Sequence, residues 1–417
     1  MGTERRGLFY GWYIVAACFL LCMLFAGAGF YSFSIFIRPL EAQFGWSRGA
    51  IAMTMSIYLV VSGLAGLPIG KFIGRFGPKA VMTVCALGSG ACFLMVSLTF
   101  SLWYFYLVYG VLAVMVCGIG VIPVSSLMTN WFSRLRGTAT GITMVGVSTG
   151  GLVLAPLVGM ITARFGWNMA FVVIGLAVWI IALPTVRLVI REHPREMGLL
   201  PDGRTGAEAP ADEHFDGDPP PAAEGRPADE VFRTRRFWFI FASFFLASLS
   251  QMGILQHQVP MLMELAGTTE ATAAAALGLT AGVGGAGKIC FGRISDTWPF
   301  RSVVALCFGL QAAAVGMLLF FEFPAMVWIY TAVFGFSMGG IIVLMPLVVG
   351  HYWGIVSYGV LLGAIWIANH LGGAIGTYIN GLAYDFTASY RFPLYLFLAA
   401  YVLSVIVFFL AGKARRL

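Results

Sequence analysis

The sequence predicts an all-α integral membrane protein of twelve transmembrane helices, arranged as two pseudo-symmetric six-helix halves. Three observations carry this. Of 417 residues, 59% are hydrophobic and 10% charged, where a soluble domain carries about 25% charged residues. The apolar residues come in blocks of about 20 or more, the length of helix that crosses about 30 Å of hydrocarbon. The glycines of the second half repeat those of the first in one register. Hydrocarbon offers backbone N–H and C=O groups no partner, so spanning segments of this length are helices.

Charged or turn-forming breaks place the first six helices near 8–37, 49–73, 79–100, 102–128, 137–163 and 167–190. Six more follow near 237–263, 271–294, 301–321, 325–350, 356–383 and 391–412. The first block, with Arg5 and Arg6 ahead of it and Ala26-Gly27-Ala28 within it, has features of a cleaved secretory signal. It is longer than a signal's apolar region and the second half needs it as a counterpart, so it is read as a membrane helix. All seven cysteines lie inside apolar blocks without Cys-x-x-Cys spacing and read as packing residues; no metal or cofactor is expected.

Residues 192–236 hold 11 of the 18 acids together with Pro219-Pro220-Pro221, and this composition predicts a solvated, mobile linker. The expected domains are therefore 1–191, a linker over 192–236, and 237–417. An even number of passes puts both termini and the linker on one side. That side collects 20 of the 25 Lys and Arg, and the other holds Arg38, Arg48, Arg164 and Arg391. The positive-inside rule then predicts cytoplasmic termini and linker. Basic residues spent this way do not indicate nucleic-acid binding.

An offset of 222 residues superposes Gly70 on Gly292, Trp131 on Trp353, Gly137 on Gly359, Gly141 on Gly363, Gly150-Gly151 on Gly372-Gly373, and Gly159 on Gly381. A duplicated six-helix unit accounts for this register. Parallel halves related by an axis along the membrane normal form a substrate site between them, near the midplane, in secondary transporters.

The loop GKFIGRFGPK (70–79), with Gly70 and Arg75, resembles the signature loop of the major facilitator superfamily, though Gly74 stands where the pattern has Asp. Its repeat, GRISDTWPFR (292–301), brings Gly292, Arg301 and the acid, Asp296. The resemblance implies a conformational lock at this end, weakened by the missing first-half Asp. FYGWYIV (9–15), GFYSFSIFIRPLEAQFGWSR (29–48), NWFSRLRGTATGITMVGVSTGG (130–151) and HPREMGLLPDG (193–203) resemble the monocarboxylate transporters and the bacterial oxalate/formate antiporter-like branch. Gly146 and Gly150 in the third of these form a G-x-x-x-G face for close helix approach. The acidic residue that precedes the opening Gly-Trp in animal monocarboxylate carriers is absent.

No Asp or Glu falls within a membrane block, which leaves Lys288 as the lone intramembrane charge. Such a residue marks an ion or substrate path. Alternatively it snorkels, since Asp296 lies about 12 Å further along the helix. Ala281, Gly284 and Gly285 leave room beside the ammonium for a small anion, and the resemblance implies pairing with a substrate carboxylate. Lys in place of the commoner Arg gives a point charge without the bidentate fork. His257, among Gln251, Gln256 and Gln258, is a candidate for substrate contact and proton coupling, or a histidine satisfied by neighbouring backbone. Trp366, Asn369 and His370 share one face of their helix and either line the cavity or form a packing cluster. Tyr31 matches a cavity position of the resembled carriers.

The sequence therefore predicts a secondary transporter of small carboxylates, of the lactate and pyruvate or the oxalate and formate type, working by alternating access with proton coupling or exchange. Its expected partners are a small organic anion, protons and the lipid bilayer, and it is expected to act as a monomer in a bacterial inner membrane. A carrier of an uncharged sugar or drug, or a transport-dead sensor of the same fold, are the alternatives. An ATP-driven pump is disfavoured by the lack of a phosphate-binding loop, and an enzyme by the lack of any nucleophile or metal constellation.

Overall fold

The computed structural model describes residues 9–203, 225–319, 326–387 and 389–412. Eleven helical runs among them are long and apolar enough to span a membrane. One, Arg136–Val189, has 54 residues, about 80 Å of helix where about 30 Å suffices. Gly166, at φ 85° and ψ 163°, folds it into two passes, a conformation that needs glycine. The described residues therefore make twelve passes.

Numbered by pass, α1 (11–44) comprises Gly11–Ala26, a π-helical turn Gly27–Tyr31, and Phe33–Phe44. Then come α2 Arg48–Phe76, α3 Pro78–Ser97, α4 Leu102–Trp131, α5 (136–165) and α6 (167–189). In the second half, α7 joins Arg235–Gln256 to Gln258–Ala266, followed by α8 Glu270–Thr297, α9 Phe300–Leu319, α10 Met326–Trp353, α11 Tyr358–Thr387 and α12 Arg391–Leu410. Most boundaries lie within four residues of those expected. The exception is α1, which continues past Arg38 until Gly45, at φ 68°, ends it with its N–H on the Glu41 carbonyl.

The linker is less open than its composition suggests. Backbone and side chains tie both flanks down: Trp131 Nε1 donates to the Arg191 carbonyl at 2.8 Å, and Asp202 accepts from the N–H groups of Ser133, Arg134 and Leu135. On the other flank, Ala228–Phe232 is helical and the Arg226 N–H meets the Trp353 carbonyl. The proline run lies outside the described residues.

Packing follows the repeat. In the first half α5 lies on α1, with Gly150 against the Met23 carbonyl; in the second α11 lies on α7, with Gly372 against the Phe245 carbonyl. Both residues of the second contact sit 222 positions after those of the first. The halves meet along two seams, α2 with α11 and α5 with α8. There Gly70 lies against Gly359 and Gly66 against Gly363, while Gly137 lies against Gly292 and Gly141 against the Lys288 carbonyl. A Cβ on these glycines would overlap facing backbone, which is why small residues are needed where helices cross this closely. Both seams lie at the end carrying the linker.

Asp296 adds a polar clasp to one seam. Its carboxylate accepts from the Gly137 N–H at 2.6 Å, the Thr138 N–H at 2.8 Å and the Thr138 hydroxyl at 2.6 Å. One half thus caps the first turn of a helix in the other, where a negative charge also meets the positive end of the helix dipole. At Gly74, the repeat counterpart, nothing lies within 4 Å of where a side chain would begin. Arg301 donates to the Phe409 carbonyl and covers its ring at 4.7 Å, and Arg75 covers the Phe76 ring at 5.1 Å.

A wedge in the seam should therefore part the halves at the linker end. Gly292→Val is expected to lengthen the distance between spin labels on the exposed Arg134 and Arg293 sites, read by double electron–electron resonance. Asp296→Ala should do so more weakly, because a cap contributes only about 1 kcal/mol. An unchanged distance in Gly292→Val would refute the seam as the closure.

Candidate functional site

Beyond the seams the halves enclose a cavity of about 240 Å³, lined from α1, α2, α5, α7, α8, α10 and α11. Lys288 is its one charged lining residue and is 5% exposed. Its backbone is gripped by two glycines, Gly141 of α5 and Gly339 of α10. The ammonium donates to Ser148 Oγ of α5 at 2.5 Å, across the boundary between the halves. It points into the protein, so the snorkelling geometry is not adopted. Among the described residues this neutral hydroxyl is its one hydrogen-bond partner, which leaves two ammonium protons for another acceptor.

The repeat explains why this charge stands alone. Lys288 occupies, in the second half, the place that Gly66 holds in the first, and Ser148 occupies the place of His370. The α5–α8 seam therefore carries a Lys and Ser pair where the α2–α11 seam carries Gly66 and His370. Gly63 leaves the space that the His370 ring base fills.

Of the other predicted residues, Tyr31, Trp366, Asn369 and His370 all line the cavity. The π-helical turn carries Tyr31 to the wall, with its ring over Gly151. Asn369 Nδ2 donates to Ser248 Oγ at 2.7 Å, and His370 Nδ1 lies 3.1 Å from the Trp366 carbonyl with the two rings 4.5 Å apart. Gln251 lines the cavity as well, its amide donating to the Met338 carbonyl.

His257 does not join them. It sits at the break in α7, with Nδ1 3.4 Å from the Tyr390 hydroxyl, and is not among the lining residues. Pro260 explains the break, since the third residue of the following segment offers no N–H to continue the helix. The ring meets Tyr390 and Gly381 instead of the lining, which departs from its expected place at the substrate. Gln258 is likewise a packing residue, its amide donating to Thr280 Oγ1 at 2.8 Å.

Sequence reasoning missed Ser148 and Tyr58, and could not foresee the unpartnered indole N–H of Trp366. Ser148 gave no signal beyond a position in a small-residue helix, although alignment of the repeats pairs it with His370. Tyr58 of α2 and Trp366 of α11 line the cavity at 3% and 6% exposure, and the Tyr58 hydroxyl and Trp366 Nε1 have no hydrogen-bond partner among the described residues.

Comparison with known proteins accords with this architecture. The family model for the Major Facilitator Superfamily matches residues 19–377. The chain belongs to the major facilitator superfamily. It is thus a multi-pass secondary transporter and not an enzyme. Among its superfamily relatives, the Bacillus subtilis (strain 168) protein named uncharacterized MFS-type transporter YcxA is 23% identical, over 86% of this chain and 85% of its own. The oxalate:formate antiporter of Oxalobacter formigenes is 24% identical over 88% and 84%, and monocarboxylate transporter 12 of Rattus norvegicus 23% over 98% and 86%. Among solved structures, FucP in its outward conformation superposes with a TM-score of 0.69 at 15% identity, covering 96% of this chain and 98% of its own. The human organic anion transporter MFSD10 gives 0.72 at 12%, covering 95% and 99%. These likenesses fix the fold.

Because His257 contacts Tyr390 outside the cavity, His257→Gln is expected to keep substrate affinity and any response of transport to a pH gradient. Flux assays in proteoliposomes check this, and loss of the gradient response alone would return His257 to the coupling path.

Proposed function

We propose that the chain carries small carboxylates across a bacterial inner membrane by alternating access, with the carboxylate pairing to Lys288. One observation supports this above the rest: a cation at 5% exposure, on the boundary between the halves, has a single, neutral hydrogen-bond partner among the described residues. A buried charge of this kind is costly unless paired. The carboxylate completes the ammonium's hydrogen bonds and cancels its charge. The names of two relatives, oxalate:formate antiporter and monocarboxylate transporter 12, point to the same substrate class.

The charge tally supports a cytoplasmic linker and termini. On that orientation the two closed seams seal the cytoplasmic side, and substrate reaches the cavity from the outer face. Tyr31, Trp366, Asn369 and His370 complete the substrate wall, while Gly70, Gly292 and Asp296 hold the inner closure.

Uptake of labelled mono- and dicarboxylates into proteoliposomes tests the proposal. Lys288→Ala should lower carboxylate transport by about a hundredfold or more, consistent with about 3 kcal/mol for a buried ion pair losing one partner. Lys288→Arg should retain part of it, because the charge persists with different geometry. Wild-type rates in a correctly inserted Lys288→Ala protein, or robust uptake only of neutral sugars, would refute the carboxylate site.

A further inference from the structure

The linker end of the second half holds a basic pocket, separate from the cavity between the halves. About 400 Å³ in volume, it lies where α7 begins and α10 and α12 end, and Arg226, Arg235 and Arg236 line it. No acid lines it, and none of the three arginines has a carboxylate partner among the described residues. Like charges gathered in one pocket repel, and an anion among them relieves the repulsion. Arg236 is held in place for such a ligand. Its Nε donates to the Ala411 carbonyl at 3.0 Å and its guanidinium covers the Tyr352 ring at 5.9 Å, so its remaining N–H groups keep a fixed direction. Arg226 is anchored by its backbone N–H on the Trp353 carbonyl.

Comparison of the two halves identifies the kind of group that fits. In the first half Trp131 Nε1 donates to the Arg191 carbonyl at 2.8 Å, and Asn130 beside it donates to the Glu192 carbonyl at 3.1 Å. Trp353, the repeat counterpart of Trp131, is 2% exposed and lines the pocket, and its indole N–H has no hydrogen-bond partner among the described residues. A buried indole N–H ordinarily meets an oxygen acceptor. The first half supplies that oxygen from its own backbone; in the second half the indole borders a pocket of guanidinium groups. Donors on every polar wall call for an anion with several oxygens, and phosphate matches the arginine fork.

Position selects the source of the phosphate. The pocket stands at helix ends, the level of lipid head groups. Phe239 and Leu410 form its apolar side. From Leu410 the exposed side chains of Ile406, Leu403 and Leu396 continue along one face of α12 toward the hydrocarbon. Trp238, 55% exposed near the start of α7, is placed as an interfacial aromatic. A seat for a head group therefore leads into a track for an acyl chain.

We propose that this pocket binds the phosphate head group of an anionic phospholipid from the leaflet at the linker end, with an acyl chain along α12. Basic pockets between membrane helices hold lipid head groups by this combination of charge and depth. The site is independent of the Lys288 reading. Because Arg226 belongs to the linker flank and Arg236 to α7, the bound lipid joins the linker to the second half.

Native mass spectrometry of the full chain in detergent tests this, with phosphatidylglycerol, phosphatidylcholine, glycerol 3-phosphate and inorganic phosphate as probes. Phosphatidylglycerol should bind about tenfold tighter than zwitterionic phosphatidylcholine. Arg226→Gln combined with Arg235→Gln should weaken phosphatidylglycerol about thirtyfold, the effect of two basic groups near an anionic head group. Lys71→Gln, which removes an exposed charge from the linker end of α2, should leave it unchanged. Trp353→Phe keeps the ring, removes the N–H and should weaken binding about fivefold. Each variant should unfold at the wild-type temperature in lipid-free detergent, which separates loss of the site from loss of the fold. Equal binding of the two lipids, or phosphatidylglycerol binding indifferent to both the double substitution and Trp353→Phe, overturns the site. Displacement of phosphatidylglycerol by an equal concentration of glycerol 3-phosphate or inorganic phosphate overturns the lipid assignment in favour of a free phosphate.

Discussion

Backbone-to-backbone contact between the halves is the constraint on which the structure depends. Gly70 with Gly359 and Gly137 with Gly292 bring α2 to α11 and α5 to α8 closer than any side chain permits. Lipid supplies no hydrophobic drive for helices to associate, so such contacts, rich in dispersion, hold the halves together. They also fix what lies above them. With the seams closed at the linker end, α5 and α8 are near enough for Ser148 to receive the Lys288 ammonium, and α2 and α11 near enough for Trp366 to lie on Gly66. Cavity and closure share the same four helices.

The two seams are not equal. Asp296 clasps the start of α5 with three hydrogen bonds, while Gly74 leaves the corresponding place open. With Asp296 at this place in the second copy and Gly74 in the first, one seam has a polar clasp that the other lacks among the described residues. The clasped seam is the one that carries Lys288. The polar clasp therefore stands on the Lys288 side, and the α2–α11 side, with Trp366 and His370, relies on its close backbone packing.

Much of the fold was legible in the sequence, because hydrocarbon demands long apolar helices and the glycine register marks where they touch. The glycines aligned at offset 222 include most of the seam and packing contacts. Local breaks were harder. The π-helical turn at Gly27–Tyr31 and the break at His257 depend on neighbours in space and on Pro260, so α1 ran longer than its apolar block and His257 met Tyr390 instead of joining the cavity lining. Lys288 was legible because it was the only charge set well back from the ends of a membrane block. Ser148 was not, because a serine in a small-residue helix looks like packing until its partner is known. The unpartnered Tyr58 and Trp366 groups were invisible for a related reason: a missing hydrogen bond is a property of packing, and composition does not record it.

A lone buried cation also bears on energetics. On the carboxylate reading, the loaded carrier presents a neutral ion pair to the bilayer core, and the empty carrier presents an uncompensated ammonium. Insertion scales put that difference at about 2.5–3.5 kcal/mol for a charge at mid-membrane. The membrane potential adds up to about 2.3 kcal/mol per 100 mV for a charge moved fully across. Ser148 offsets part of this with one hydrogen bond, but only while the halves are apposed as they are here. Reorientation of the empty carrier is then the slow step and reorientation of the loaded carrier the fast one. On that reading, exchange of one carboxylate for another would outpace net flux for an electrostatic reason alone.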